Sequence, residues 1–78
     1  MNKNVDFYTA SLKEMTAKLS AILSVEDIAK FLRVSPKSVY NLILTGELSA
    51  FKVPNEHGYN IYKKDFISFL QKNETINF

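Results

Sequence analysis

The sequence predicts a small, mainly α domain with one β-hairpin, in the order helix, helix, tight turn, helix, hairpin, helix. Three observations predict it. Apolar residues recur at helical spacing in four separate stretches. The pair Ser35-Pro36 follows the second stretch almost at once, so two short helices meet at a turn. An alternating run, Ser49–Val53, then leads through Pro54–Gly58 into a second alternating run, Tyr59–Tyr62.

Each element has its own signal. Val5, Tyr8, Leu12, Met15, Leu19 and Ile22 fall at steps of three and four, which places them on one stripe of a helix from about Val5 to Ile22. The residues between them are polar or small: Lys13, Glu14, Thr16 and Lys18. Ser24 and Asp27 form a capping box at the start of the next helix, whose apolar face is Ile28, Phe31 and Leu32, with Ala29 as a small contact. That helix ends near Arg33, and Val34 is expected to be buried in the break.

Ser35 caps the third helix and Pro36 takes its first position, where the missing N–H costs nothing. Val39, Leu42 and Ile43 form its inner face, and Gly46 stops it in the left-handed region. Ser49–Val53 and Tyr59–Tyr62 make a hairpin around the five-residue loop Pro54–Gly58. Phe66, Ile67, Phe69 and Leu70 give a last helix from about Lys63 to Lys72. The tail that follows has no strong pattern, although Ile76 and Phe78 could dock. A helix pair on a short turn, followed by a two-stranded wing, is a winged helix-turn-helix, here with an extra N-terminal helix. The chain divides into an N-terminal amphipathic helix (1–22), the winged domain (23–73) and a C-terminal tail (74–78).

Composition narrows the function. At 78 residues, one small core is the limit. The chain has no cysteine and one histidine, His57, which leaves no disulfide framework and no Cys/His zinc cluster. There is no Gly-rich phosphate loop, and no acidic residue pairs with a base, so an enzyme is not expected and no cofactor is implied. No stretch reads as a secretory leader or as a bilayer span, so a soluble, cytoplasmic protein without a membrane partner is expected. The net charge of +2 is a weak pull toward an anionic partner.

The third helix carries the chemistry. With Val39, Leu42 and Ile43 inward, Lys37 and Asn41 point straight out, flanked by Ser38, Tyr40, Leu44 and Thr45. A helix presented this way fits the major groove. Asn bonds adenine at two positions, Lys bonds guanine, and an exposed Tyr or Leu touches a thymine methyl or a sugar. The helix start at Ser35 offers N–H groups to a phosphate. In the wing, Lys52, Asn55, His57 and Asn60, with Lys63 just beyond, are placed to follow the backbone, while Glu56 opposes this. Lys30 and Arg33 are candidate phosphate contacts. The plainer alternatives are a solvated amphipathic helix and a hairpin that only covers the core. The N-terminal stripe has coiled-coil spacing over about two and a half heptads. It either packs on its own domain or offers Val5, Tyr8, Leu12, Met15 and Leu19 to a second copy or a protein partner.

From Val25 to about Lys72 the chain resembles the excisionase/MerR-like family of winged helix-turn-helix DNA-binding domains. The residues that carry the resemblance lie in LSVEDIAKFLRVSPKSVYNLILTGELSAFKV and YNIYKKDFISFL. Leu23, Ser24, Ala29, Val34, Ser35, Val39, Tyr40, Ile43, Gly46, Leu48, Ala50, Asp65 and Phe66 match the family pattern. The chain departs from it at three places. Arg33 stands at the turn, where the backbone is unusual for a side chain. Asn41 follows Tyr40 where the family often has Arg. Tyr59-Asn60-Ile61 replaces an aromatic-Arg-Ile triplet. The resemblance implies a sequence-specific binder of double-stranded DNA. By the same resemblance it is an excisionase (recombination directionality factor) working with an integrase, or a transcription regulator of a mobile element, in a bacterial, phage or plasmid setting. The rival is a protein-interaction adaptor that keeps the fold and docks through the N-terminal helix on a phage or plasmid replication or regulatory complex.

Overall fold

A computed structural model describes residues 13–76, with side chains through Asn73. The described part of the first helix, α1, is 13–17. It stops well short of Ile22, because the Leu19 N–H folds back onto the Thr16 carbonyl at 3.1 Å. The chain then enters strand β1, Ile22–Ser24. There the period changes from helical to two, so Leu23 turns inward and Ile22 outward. The expected stripe is corrected accordingly. Met15 and Ile22 are exposed, Thr16 is buried, and Leu19 packs against the core. Val5, Tyr8 and Leu12 lie outside the described residues.

Helix α2, Val25–Leu32, starts on the expected capping box: Asp27 N–H donates to Ser24 Oγ, and Ser24 N–H donates to Asp27 Oδ2, both at 3.0 Å. It ends with Arg33 in the left-handed region, φ 60° and ψ 44°. The Arg33 N–H reaches the Lys30 carbonyl and the Val34 N–H reaches the Ala29 carbonyl, the paired bonds of a Schellman motif. This geometry holds Val34 on the flank of the turn. It is 42% exposed, where the sequence pattern expects a buried residue.

Helix α3, Pro36–Leu44, is capped by Ser35. It closes with a second Schellman motif centred on Gly46 at φ 84°, with bonds from Gly46 to Ile43 and from Glu47 to Leu42. The bend that follows delivers Leu48 into the core.

The wing differs from a regular hairpin. Its two arms meet at one bridge, where Phe51 and Asn60 exchange N–H···O bonds of 2.8 Å. Regular pairing of strand β2, Asn60–Tyr62, goes instead to β1, antiparallel, with Ile22 opposite Tyr62, Leu23 opposite Ile61 and Ser24 opposite Asn60. The loop therefore runs 52–59, wider than Pro54–Gly58. Positive φ at Asn55 and Gly58 turns the chain away from ladder geometry. Pro54 followed by Asn55 at φ 70°, with the Glu56 N–H on the Val53 carbonyl, is a type II turn.

Helix α4, Lys63–Ile76, continues past Lys72 into the segment read as a tail, since no Gly or Pro intervenes. Asn73 Nδ2 bonds back to the Phe69 carbonyl at 2.7 Å. The core joins all these elements: Leu23, Ile28, Val39, Leu48, Ile61 and Phe66 are each at most 2% exposed. Phe31 meets Phe66 edge-on, with centroids 5.1 Å apart. Burying each such side chain stabilises the fold by about 1.5–3 kcal/mol. The architecture is a mainly helical, winged helix-turn-helix. Its α2–turn–α3 unit is held from behind by the sheet and α4.

Candidate nucleic-acid interface

Helix α3 is anchored at both ends before it presents anything. Ser35 Oγ accepts from the Ser38 N–H at 3.3 Å and lies 3.2 Å from Ser38 Oγ. This cap narrows what the helix start offers an anion. Pro36 has no N–H, and that of Ser38 is already bonded to Ser35. Val39 is fully buried, which fixes the rotation of the helix. Lys37, Ser38, Asn41, Leu44 and Thr45 are consequently exposed. Leu44, at 71%, is the most exposed of the large hydrophobics among the described residues. It projects on the same outer arc as Lys37 and Asn41.

Tyr40 departs from the expectation. It is half-buried and packs against the core, because its side of α3 faces the wing. Its ring meets Tyr59 at 6.1 Å between centroids, with planes 63° apart. A Cβ placed on Gly58 would lie 3.9 Å from the Tyr40 hydroxyl, so the wing backbone passes close by. Thr45 is likewise occupied: its hydroxyl lies 3.2 Å from both the Leu42 carbonyl and Glu47 Oε2. That arrangement also places a carboxylate at the C-terminal end of the outer face.

In the wing, Lys52 is exposed, and its Nζ sits 4.9 Å from the centroid of the Tyr59 ring. Asn55 and His57 are exposed on the loop. Asn60 is half-buried, held on one side by Phe51 and on the other by Ser24. Lys63 does not extend the wing's cationic edge. Its ammonium donates to the Ala17 carbonyl at 3.4 Å and the Leu19 carbonyl at 3.3 Å, which ties the end of α1 to the start of α4. Lys30 and Arg33 are exposed at the end of α2 and its turn.

Of the residues singled out in the sequence, the structure thus gathers Lys37, Ser38 and Asn41 on one face. It links Lys52 to Tyr40 through Tyr59, and it commits Lys63 elsewhere. Tyr59 was missed because its alternation marked it only as a strand residue. Leu44 was seen on the helical wheel, but its degree of exposure was not. Charge favours the helix face over the cleft behind it. The first turn of α3 carries no acid. Glu26 lines the cleft between α2 and the wing, together with Ser24, Tyr40, His57 and Asn60. Among the described residues, no group of His, Asp or Glu side chains could hold a metal ion. No helix there is long and apolar enough to cross a membrane.

Residues 22–74 match the model of the family described as "Helix-turn-helix domain". No match was found among curated proteins or among solved structures.

Proposed function

The chain belongs to the helix-turn-helix domain family, which supports a small DNA-binding protein, and we propose that it reads a specific double-stranded sequence by laying α3 in the major groove. The observation that carries this reading is the outer face of α3. Lys37, Asn41 and Leu44 stand exposed on a helix that is capped at both ends and locked in rotation by Val39.

Their chemistry divides the work. Lys37 donates to guanine O6 and N7, Asn41 pairs with adenine N6 and N7, and Leu44 meets a thymine methyl. Ser38 and Thr45 border this strip, and Lys52 sets the wing on the adjoining backbone. The biological role that fits the sequence resemblance is an excisionase-like factor acting with an integrase, or a transcription regulator of a mobile element. Binding in neighbouring copies that bend the duplex would serve either role.

The test is fluorescence anisotropy with a pool of duplexes at low and physiological salt, comparing wild type with Lys37→Ala and Asn41→Ala. Binding with a clear salt slope, weakened by both changes, supports the reading. A wild type that ignores duplex DNA at low salt ends it. One observation favours the adaptor reading as a second: Met15, Ile22 and Tyr62 are large apolar side chains left exposed at 56%, 49% and 44%. In that case substitution of these three by Ser abolishes partner binding and spares DNA.

A further inference from the structure

The wing's cation is not a free side chain. Lys52 Nζ rests 4.9 Å from the Tyr59 ring centroid, and Tyr59 leans on Tyr40 of α3. Tyr40 in turn packs against the core. The loop that carries Lys52 is joined to β2 by a single bridge, Phe51 with Asn60. That bridge pins Phe51 and Asn60, but pairing does not continue to Lys52 and Tyr59, the next residues out, so the backbone sets their relative placement only weakly. Ring contacts do the rest: Phe51 stacks on Tyr62 at 4.5 Å at the bridge itself, and beyond it Tyr59 meets Tyr40.

We propose that Tyr59 and Tyr40 are positioning residues that hold Lys52 in register with the reading face of α3. Wing contact with phosphate and helix contact with the groove are then made as one event. The inference rests on the DNA-binding reading and deepens it. A lysine on a flexible stem gives up rotamer freedom when it meets a phosphate. A ring beneath the ammonium restricts that freedom beforehand, and so raises affinity without adding a contact. A ring face also attracts the ammonium without occupying all three of its N–H donors, so donors remain for the solvent side. The ladder is thus compatible with simultaneous phosphate binding and, unlike an ion pair, leaves the charge of Lys52 unneutralised. Gly58 belongs to the same device. Its positive φ, 83°, turns the chain into Tyr59, and since a Cβ there would meet the Tyr40 hydroxyl only at an ordinary 3.9 Å, it is the backbone angle and not the space that calls for glycine.

The experiment has two arms. In the free protein, NMR of the Lys52 side-chain protons reads the geometry directly. Upfield ring-current shifts are expected in wild type and in Tyr59→Phe, with loss in Tyr59→Leu and reduction in Tyr40→Leu. On DNA, anisotropy against salt is compared for Lys52→Ala, Tyr59→Leu, the double variant and Tyr59→Phe. Tyr59→Leu is expected to weaken binding about 2- to 5-fold, the span of an exposed cation–π contact. It should also lower the slope of log K against log salt by up to ~0.9, the value for one phosphate contact. The double variant should be no worse than Lys52→Ala alone, and Tyr59→Phe should rescue. Thermal melts accompany each variant, and the Phe variant keeps the comparison valid where Leu unfolds the chain. Lys52 protons at unshifted positions in wild type overturn the proposal. So do independent, additive losses from Lys52→Ala and Tyr59→Leu with the full salt slope retained in the latter. If Lys37→Ala and Asn41→Ala weaken binding while the ladder variants behave additively, only the coupling fails. If wild type binds no duplex at all, the DNA reading fails with it.

Discussion

Replacing Arg33 by glycine should make this protein more stable, although it removes a charged side chain from a turn between two helices. Arg33 sits at φ 60° and ψ 44°, in the left-handed region. A residue with a Cβ crowds the following carbonyl there and is disfavoured by about 1–2 kcal/mol, whereas glycine has no such penalty. Glycine also gives the unfolded chain more freedom, which costs about 0.5–1 kcal/mol in return. The net gain is roughly 0.5–1 kcal/mol. In a domain of this size that raises the melting temperature by about 2–8 °C. The Schellman bonds from Arg33 to Lys30 and from Val34 to Ala29 use only backbone groups, so they survive the change. Circular dichroism melts and urea titrations of wild type, Arg33→Gly and Arg33→Ala measure it. Arg33→Ala removes the charge and keeps the strain, so it should fall within about 0.5 kcal/mol of wild type. If glycine destabilises while alanine is neutral, the left-handed turn is not where the structure places it. If both destabilise equally, the guanidinium has a stabilising partner and the backbone argument is wrong.

Gly46→Ala provides the opposite sign: no heavy atom lies within 4 Å of the added Cβ, so the loss of about 1 kcal/mol in the same melts comes from φ 84° alone. Asp27→Ala and Ser24→Ala should each cost about 1 kcal/mol, and the double variant should cost less than the sum, because each residue completes the other's half of the capping box. Phe66→Ala empties the centre of the core beside Phe31 and should cost about 3–5 kcal/mol, seen as a collapsed melting transition or a chain that does not fold. Leu44→Ala should leave the unfolding free energy from urea titration within about 0.5 kcal/mol of wild type and weaken duplex binding; a stability loss beyond about 1 kcal/mol would place Leu44 in packing instead.

What could be read from the sequence follows the range of the interaction. Caps are local, so Ser24 with Asp27, Ser35 with Pro36, and Gly46 were all legible from one or two residues. The unusual backbone of Arg33 was expected only through the family resemblance, which places this position at the turn between the helices. The β1–β2 pairing was not. Ile22 fits the spacing of the helical stripe, and only its distant partner Tyr62 reveals that it is a strand residue. For the same reason nothing in the stripe showed that Thr16 is buried and Met15 exposed. On α3 the wheel gave the outward direction of Lys37 and Asn41 correctly. It could not tell which flank would meet the wing, so Tyr40 was read as exposed and Tyr59 was passed over. Lys63 looked like a wing cation because it directly follows the second arm of the hairpin; its bonds to carbonyls at the end of α1 depend on a chain reversal that no short window contains.

The distribution of charge bears on how such a domain would hold DNA. The net charge is only +2, α3 carries Lys37 as its one charged residue, and the wing adds Lys52 against Glu56. With Lys30 and Arg33 included, four cations are available around the recognition unit. Were three of them on phosphate, the affinity would fall by roughly 40-fold between 50 and 200 mM salt, from a slope of about 0.9 per contact. Such a slope is shallow for a specific DNA-binding protein, so one copy has little electrostatic affinity to draw on. Two remedies are open to a domain of this kind. One is to arrange its few cations in advance, which is the part assigned to Tyr59 and Tyr40. The other is to bind in adjacent copies, so that each site contributes its own slope and the effective concentration of the neighbour makes up the difference. The two make different demands on a target. Pre-arrangement works on a single short site, whereas adjacency requires repeated sites at fixed spacing. Titration on duplexes with one and with two selected sites separates them: a Hill coefficient near one on both leaves the aromatic ladder as the source of affinity, and a rise on the second duplex alone assigns it to neighbouring copies.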